Sequence, residues 1–193
     1  MNLKIDFLNT TDYTSNAQIA RVQTEYWVKS NIYCPNCGYE KLNAFENNRP
    51  VADFYCQNCL SEFELKSKDN KLGNKILDGA YSTMLNRIAA ENNPNFFFLT
   101  YNKTYKTVND FLIIPKHYFV PDLIEKRNPL AVTARRAGWI GCNILLNRIP
   151  SSGRIFIIKN SNIINKEDVL NKWKETDFLK NISVKSKGWI IDV

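Results

Sequence analysis

Apolar residues recur along this chain with two different periods, and the switches between them mark its elements. Over residues 15–30, Ile19, Val22, Tyr26 and Trp27 return at helical spacing, with Ser15 or Asn16 able to cap the start. Residues 50–56 and 61–67 are two short strand-like runs on either side of Gln57-Asn58. From Asp78 to Asn92 the helical period comes back, with Ala80, Tyr81, Met84, Leu85, Ile88 and Ala89 on one face, and Asn93-Pro94 ends it. Asn95 to Tyr101 is a nearly unbroken apolar run, the pattern of a buried strand. Phe111–Ile114 and Arg154–Lys159 read as further strands, Asn165–Lys174 as a helix and Gly188–Val193 as a closing strand. No repeat or linker interrupts this order. It predicts an α/β (α+β) domain, a mixed sheet with helices packed against it.

Composition narrows the classes. The chain has 193 residues, 44% of them hydrophobic, enough for one buried core and incompatible with wholesale disorder. No run approaches the roughly 18 apolar residues of a membrane span. The N-terminus lacks the apolar core of a signal peptide, so a cytoplasmic protein with no membrane partner is expected. Lys and Arg outnumber Asp and Glu by 26 to 19. The resulting charge of +7 favours polyanions such as DNA, although a solvated basic surface has the same composition. The single histidine, His117, sits in no motif, which argues against Ser-His-Asp and Cys-His catalysis. Chemistry is left to carboxylates, lysine and metals.

Four of the five cysteines fall into two knuckles, Cys34-Pro35-Asn36-Cys37 and Cys56-Gln57-Asn58-Cys59. The spacing C-x₂-C-x₁₈-C-x₂-C is that of one tetrahedral zinc ion. Four thiolates close the coordination shell, so such a site is structural. Matched knuckles without thioredoxin context disfavour a redox pair, and the missing secretory signal disfavours disulfides. Cys142 stands apart and reads as a small buried residue.

The second knuckle lies within a predicted hairpin. Side chains alternate along a strand, so Glu64 and Lys66 share a face, and Asp53 falls opposite Glu64 if the strands fold back at Gln57-Asn58. Two carboxylates so placed can share a hard divalent cation, and a lysine beside them can orient water and balance charge on a phosphoryl group. Glu-x-Lys alone is common on solvated strand faces. Asp53 on an otherwise apolar strand, with a metal knuckle fixing the hairpin, favours the chemical reading. Glu25 on the first helix is a weaker candidate for the same site. Asn70–Lys75 reads as a solvated basic loop. Arg135, Arg136 and Trp139, grouped around Gly138, could line a DNA groove or form a surface turn whose Trp139 is core.

At these residues a resemblance emerges. Pro50…Asp53…Glu64-Leu65-Lys66 matches the pattern of PD-(D/E)xK nucleases. Phe45–Cys56, Glu62–Lys68, Asn93–Tyr101 and Thr133–Asn143 resemble DpnI-type methyl-directed type II restriction endonucleases, and the likeness runs through nearly the whole chain. It implies a restriction-endonuclease-like fold that cleaves duplex DNA at GATC sites carrying N6-methyladenine, with Asp53, Glu64 and Lys66 catalytic. Mg²⁺ would be held by Asp53, Glu64 and the Leu65 backbone carbonyl, and one structural Zn²⁺ by Cys34, Cys37, Cys56 and Cys59. No organic cofactor is implied. Trp139 would lie near the methylated adenine. The domain implied is the endonuclease domain over 1–193, the C-terminal winged-helix domain of longer relatives being absent. Two other functions share the zinc site and the basic charge: a non-catalytic zinc-ribbon module that binds methylated DNA, and a nuclease for another nucleic acid. Only the Asp53, Glu64 and Lys66 group separates the binding module from an enzyme.

Overall fold

The computed structural model describes residues 1–5, 13–46, 52–90 and 92–182. In chain order it contains α1 (Asn16–Asn31), β1 (Asn43–Ala44), β2 (Phe54–Tyr55), β3 (Glu62–Asp69), β4 (Lys75–Ala80), α2 (Tyr81–Ala89), β5 (Asn95–Asn102), β6 (Thr107–Ile114), β7 (Ile124–Lys126), β8 (Gly141–Leu145), β9 (Ile155–Lys159), β10 (Asn162–Ile163) and α3 (Lys166–Glu175). Seven strands form one mixed sheet in the order β1-β2-β3-β5-β6-β9-β10, and β4-β8-β7 form a second, smaller sheet. Among the described residues only β3 and β5 pair in parallel. That pairing needs a crossover, which β4 and α2 supply.

Phe96–Leu99 and Phe111–Ile114 are inaccessible to solvent because both faces of the large sheet are covered. Phe97, Leu99, Phe111 and Ile113 point to the face covered by α1, α3 and the first cysteine knuckle, where Trp27, Val28, Cys34, Val169 and Trp173 close the core. Phe96, Phe98, Leu112 and Ile114 point the other way, onto α2 and the small sheet, against Met84, Ile88, Ile124, Cys142 and Ile144. The architecture is a mixed α+β sheet flanked by helices, as the hydrophobic pattern predicts.

Several expectations shift. The helix expected from Asp78 begins at Tyr81, because Lys75–Ala80 is extended and pairs with β8 from Lys75↔Leu145 to Ala80↔Gly141. The expected basic loop 70–75 therefore ends in a strand. Ser15 precedes α1 but makes no capping bond, whereas Asn165 caps α3 by accepting from Glu167 N–H at 2.8 Å. Cys142 is buried, as expected. The start of the 50–56 run, Pro50 of the nuclease pattern and the closing strand Gly188–Val193 lie outside the described residues.

Candidate active site and metal centre

The two knuckles are copies of one turn. Cys34 C=O accepts from Gly38 N–H and Cys34 N–H donates to Tyr39 C=O, both at 2.8 Å. At the second knuckle Cys56 C=O accepts from Leu60 N–H and Cys56 N–H donates to Ser61 C=O, both at 2.9 Å. The turn demands a left-handed residue, which is Gly38 (φ 76°) in one copy and Leu60 (φ 58°) in the other. The folds of the two turns aim four sulfurs inward, all within 4.8 Å of one another. Cys34 Sγ lies 3.6 Å from Cys59 Sγ, and Cys37 Sγ 3.6 Å from Cys56 Sγ. Zinc–sulfur bonds of about 2.3 Å put tetrahedral sulfurs about 3.8 Å apart, whereas a disulfide needs about 2.05 Å. The donor set and its spacing fit a zinc ion. Burial pushes the Cys34 thiol up; at Cys37 burial acts the same way, but hydrogen bonds from Asn58 and the Tyr39 amide bring it down to about 7.

The other end of the same hairpin carries charge. β2 pairs with β3 through Phe54↔Phe63 and Tyr55↔Glu62, a register that sets Asp53 opposite Glu64. Asp53 N–H donates to Phe63 C=O at 2.9 Å, and its Oδ2 accepts from Leu65 N–H at 2.7 Å. Within a strand a residue's N–H and C=O point to the same side, so the Leu65 carbonyl faces this edge too. Lys66 Nζ sits 2.6 Å from Glu64 Oε1 and 2.5 Å from Asp78 Oδ1. Arg87 of α2 pairs with Glu64 Oε2. Asp78 Oδ1 is itself held by Gly79 N–H at 2.7 Å, where β4 shifts register against β8. Asp53 thus lies on the β2 side of β3, opposite Glu64 and two residues from Lys66 in register.

Burial raises the Asp53 carboxyl, opposed by the Leu65 amide, with the Glu25 carboxylate adding to the rise. Burial raises Glu64 as well, against the pull of Lys66 and Arg87. At Lys66 burial acts downward, but Glu64 and Asp78 outweigh it and hold the ammonium charged. A lysine in this setting stabilises negative charge and is a poor base. Glu25 lies on the α1 side of Asp53 and pairs with Arg21 at 2.6 Å. Thr24 docks that helix on β3, its Oγ1 3.1 Å from Ser67 Oγ.

Sequence reasoning missed Asp78 and Arg87. Asp78 read as the start of a helix, and Arg87 carried no signal of its own.

The Arg135–Trp139 segment prolongs the β7–β8 hairpin. Leu130 N–H donates to Trp139 C=O at 2.9 Å and Arg127 N–H to Gly141 C=O at 3.0 Å. Trp139 is half-buried: its ring lies across Gly141, where a Cβ would come within 2.8 Å of it. The Arg136 guanidinium stands 4.7 Å from the ring centroid, and Arg135 and Arg136 are exposed. The segment is a basic, aromatic projection anchored by its tryptophan, which neither sequence expectation described fully.

Among the described residues no helix is long and apolar enough to cross a membrane. A family model described as DpnI, Dam-replacing family, matches residues 1–182, a span that includes every side chain of the cluster, the knuckles and the projection.

Proposed function

The chain belongs to the Dam-replacing family of DpnI, and from that premise we propose that it is a Mg²⁺-dependent type II endonuclease, cytoplasmic and acting in restriction, that cleaves duplex DNA at GATC sites carrying N6-methyladenine. The observation that carries this reading is the Asp53, Glu64 and Lys66 group, with Asp53 opposite Glu64 on the β2 side of β3. A module that only bound DNA would gain nothing from burying these charges, since desolvating each costs several kcal/mol. The buried charges separate the enzyme from a zinc-ribbon reader of methylated DNA.

Asp53, Glu64 and the Leu65 carbonyl are the oxygen donors that would hold Mg²⁺, a hard cation suited to carboxylate, carbonyl and phosphate oxygens. When bound there, the ion would lower the pKa of water and offset charge on the phosphoryl group. Lys66 would orient the attacking water and stabilise the developing negative charge through Nζ. Water would add to phosphorus and give its proton to solvent, the bond to one bridging oxygen would break, and that oxygen would take a proton from solvent as it leaves. Asp53 stays fixed by the Leu65 amide throughout. A zinc ion held by the four cysteines would take no part in chemistry; it would fix the turn that holds β2 and β3 together.

Arg135, Arg136 and Trp139 would provide DNA contact, the arginines on phosphate or guanine and the indole beside the adenine methyl group. The test is digestion with Mg²⁺ of plasmid DNA grown with and without adenine methylation at GATC. Cleavage of the methylated plasmid alone is expected. Cleavage of neither would leave the binding module as the better account, and equal cleavage of both would remove the methyl requirement.

A further inference from the structure

Arg87, Glu64, Lys66 and Asp78 form an unbroken row of alternating charge. Its two cations differ in what else they hold. Lys66 has two carboxylates, Glu64 at 2.6 Å and Asp78 at 2.5 Å, so it keeps a partner if Glu64 turns away. Arg87 has Glu64 alone: among the described residues its guanidinium reaches no other acceptor. With its side chain only 21% exposed, an Arg87 that lost Glu64 would be a poorly solvated charge. It would need another anionic oxygen at the same place.

A divalent cation on Glu64 would compete with Arg87 for that carboxylate. The oxygen nearest to hand in a nuclease is a phosphate of the substrate, and the planar guanidinium fork matches phosphate geometry. We propose that Arg87 is a phosphate-binding residue of this site, exchanging Glu64 for a non-bridging oxygen of the DNA backbone as a metal ion takes Glu64. The inference rests on the nuclease reading above. It makes metal and DNA binding mutually reinforcing, because each removes the partner or supplies the ligand that the other needs. Linkage requires that the factor by which metal tightens DNA equal the factor by which DNA tightens metal.

Two binding measurements test this without turnover. Duplex affinity for a methylated GATC oligonucleotide is measured by fluorescence anisotropy with and without Ca²⁺, for the wild-type protein, Arg87→Gln and Arg87→Lys. Ca²⁺ should tighten the wild-type complex by about tenfold, within the usual range of coupling between sites. Arg87→Gln should lose most of that gain, and Arg87→Lys should keep part of it. Calorimetric titration with Mn²⁺ in the absence of DNA should give tighter binding to Arg87→Gln than to wild type, since a competing cation is gone. Unchanged zinc content and melting temperature establish that the variants are folded. A Ca²⁺ gain that survives in Arg87→Gln, no Ca²⁺ gain in the wild type, or unaltered Mn²⁺ affinity would each overturn the proposal. Digestion of methylated plasmid by the wild type, run in parallel, separates the two claims. Cleavage with an intact gain in Arg87→Gln sinks the role of Arg87 alone, whereas no cleavage sinks the nuclease reading itself.

Discussion

The β2–β3 hairpin has two ends built on opposite principles. At its turn, Cys56 and Cys59 meet Cys34 and Cys37 in a set of four like donors whose geometry leaves no position for a substrate. At its strands, Glu64 and Lys66 meet Asp78 and Arg87 in a set of unlike charges, with Asp53 alongside on the Leu65 amide. The turn end is assembled from two identical local motifs, each stabilised by its own backbone bonds. The charged end draws partners from β4 and α2, elements that are nothing to each other in sequence pattern. A closed donor set makes a good staple, and an open, mixed set makes a place where charge can be rearranged. On the proposed reading one hairpin serves both, the staple fixing the strands that carry the charged groups.

Breaking the staple should have the largest effect. Cys56→Ser is expected to lose zinc and cooperative unfolding together, since structural zinc supplies on the order of 10 kcal/mol of folding free energy in small zinc domains. Metal content and thermal melting followed by circular dichroism check this; a zinc-free variant that melts like wild type would show that the staple is dispensable.

Trp139→Ala acts on neither end of the hairpin. It should reduce the preference for methylated over unmethylated GATC by about tenfold, or roughly 1.4 kcal/mol, within the range of one base contact. Because Trp139 also covers Gly141, its melting temperature must be measured beside the cleavage rates. An unchanged preference in a folded variant would make Trp139 a packing residue only.

Asp53 sharpens the contrast in the opposite direction. Its folded-state pKa is raised above the ordinary value of 3.8, chiefly by burial. A carboxyl raised in this way contributes most to stability when protonated, below 3.8, and that contribution is lost as pH rises through the raised value. Asp53→Asn should therefore be more stable than wild type at neutral pH, with the difference shrinking as pH falls toward 4. Added Mg²⁺ should raise the wild-type melting temperature and leave Asp53→Asn unmoved. A variant less stable than wild type at neutral pH would mean that the Leu65 hydrogen bond outweighs burial.

The smallest effect belongs to the turn. Leu60 holds φ 58° where the matching knuckle has glycine, and it is 76% exposed. Leu60→Gly should stabilise by roughly 0.5 kcal/mol, the left-handed strain relieved less the entropy glycine gains on unfolding. Denaturant titration reads this, and a destabilised variant would show that the Leu60 side chain packs usefully despite its exposure.

What was legible in the sequence follows the same division. The cysteine spacing, α1, β5 and β6 could be read because their signals are local: matched knuckles, a helical period, an unbroken apolar run. Asp53 opposite Glu64 could be read because a short turn leaves few registers. Asp78 and Arg87 could not, since their meaning comes from Lys66 and Glu64, 12 and 23 residues away. Asp78-Gly79-Ala80 continues a helical apolar period, and only pairing with β8 makes it extended. β7 and β8 are three and five residues long, too short and too mixed for a pattern to outweigh their neighbours.

On the proposed reading, chemistry resides at the charged end of the hairpin and stability at the thiol end, and this division is open to direct test. Its most direct test is the rate at which Lys66→Ala, at full zinc occupancy, cleaves adenine-methylated plasmid in Mg²⁺. A loss of at least about a thousandfold with zinc content unchanged is the expected result for a group stabilising charge in the transition state. Cleavage within a few-fold of wild type would contradict it.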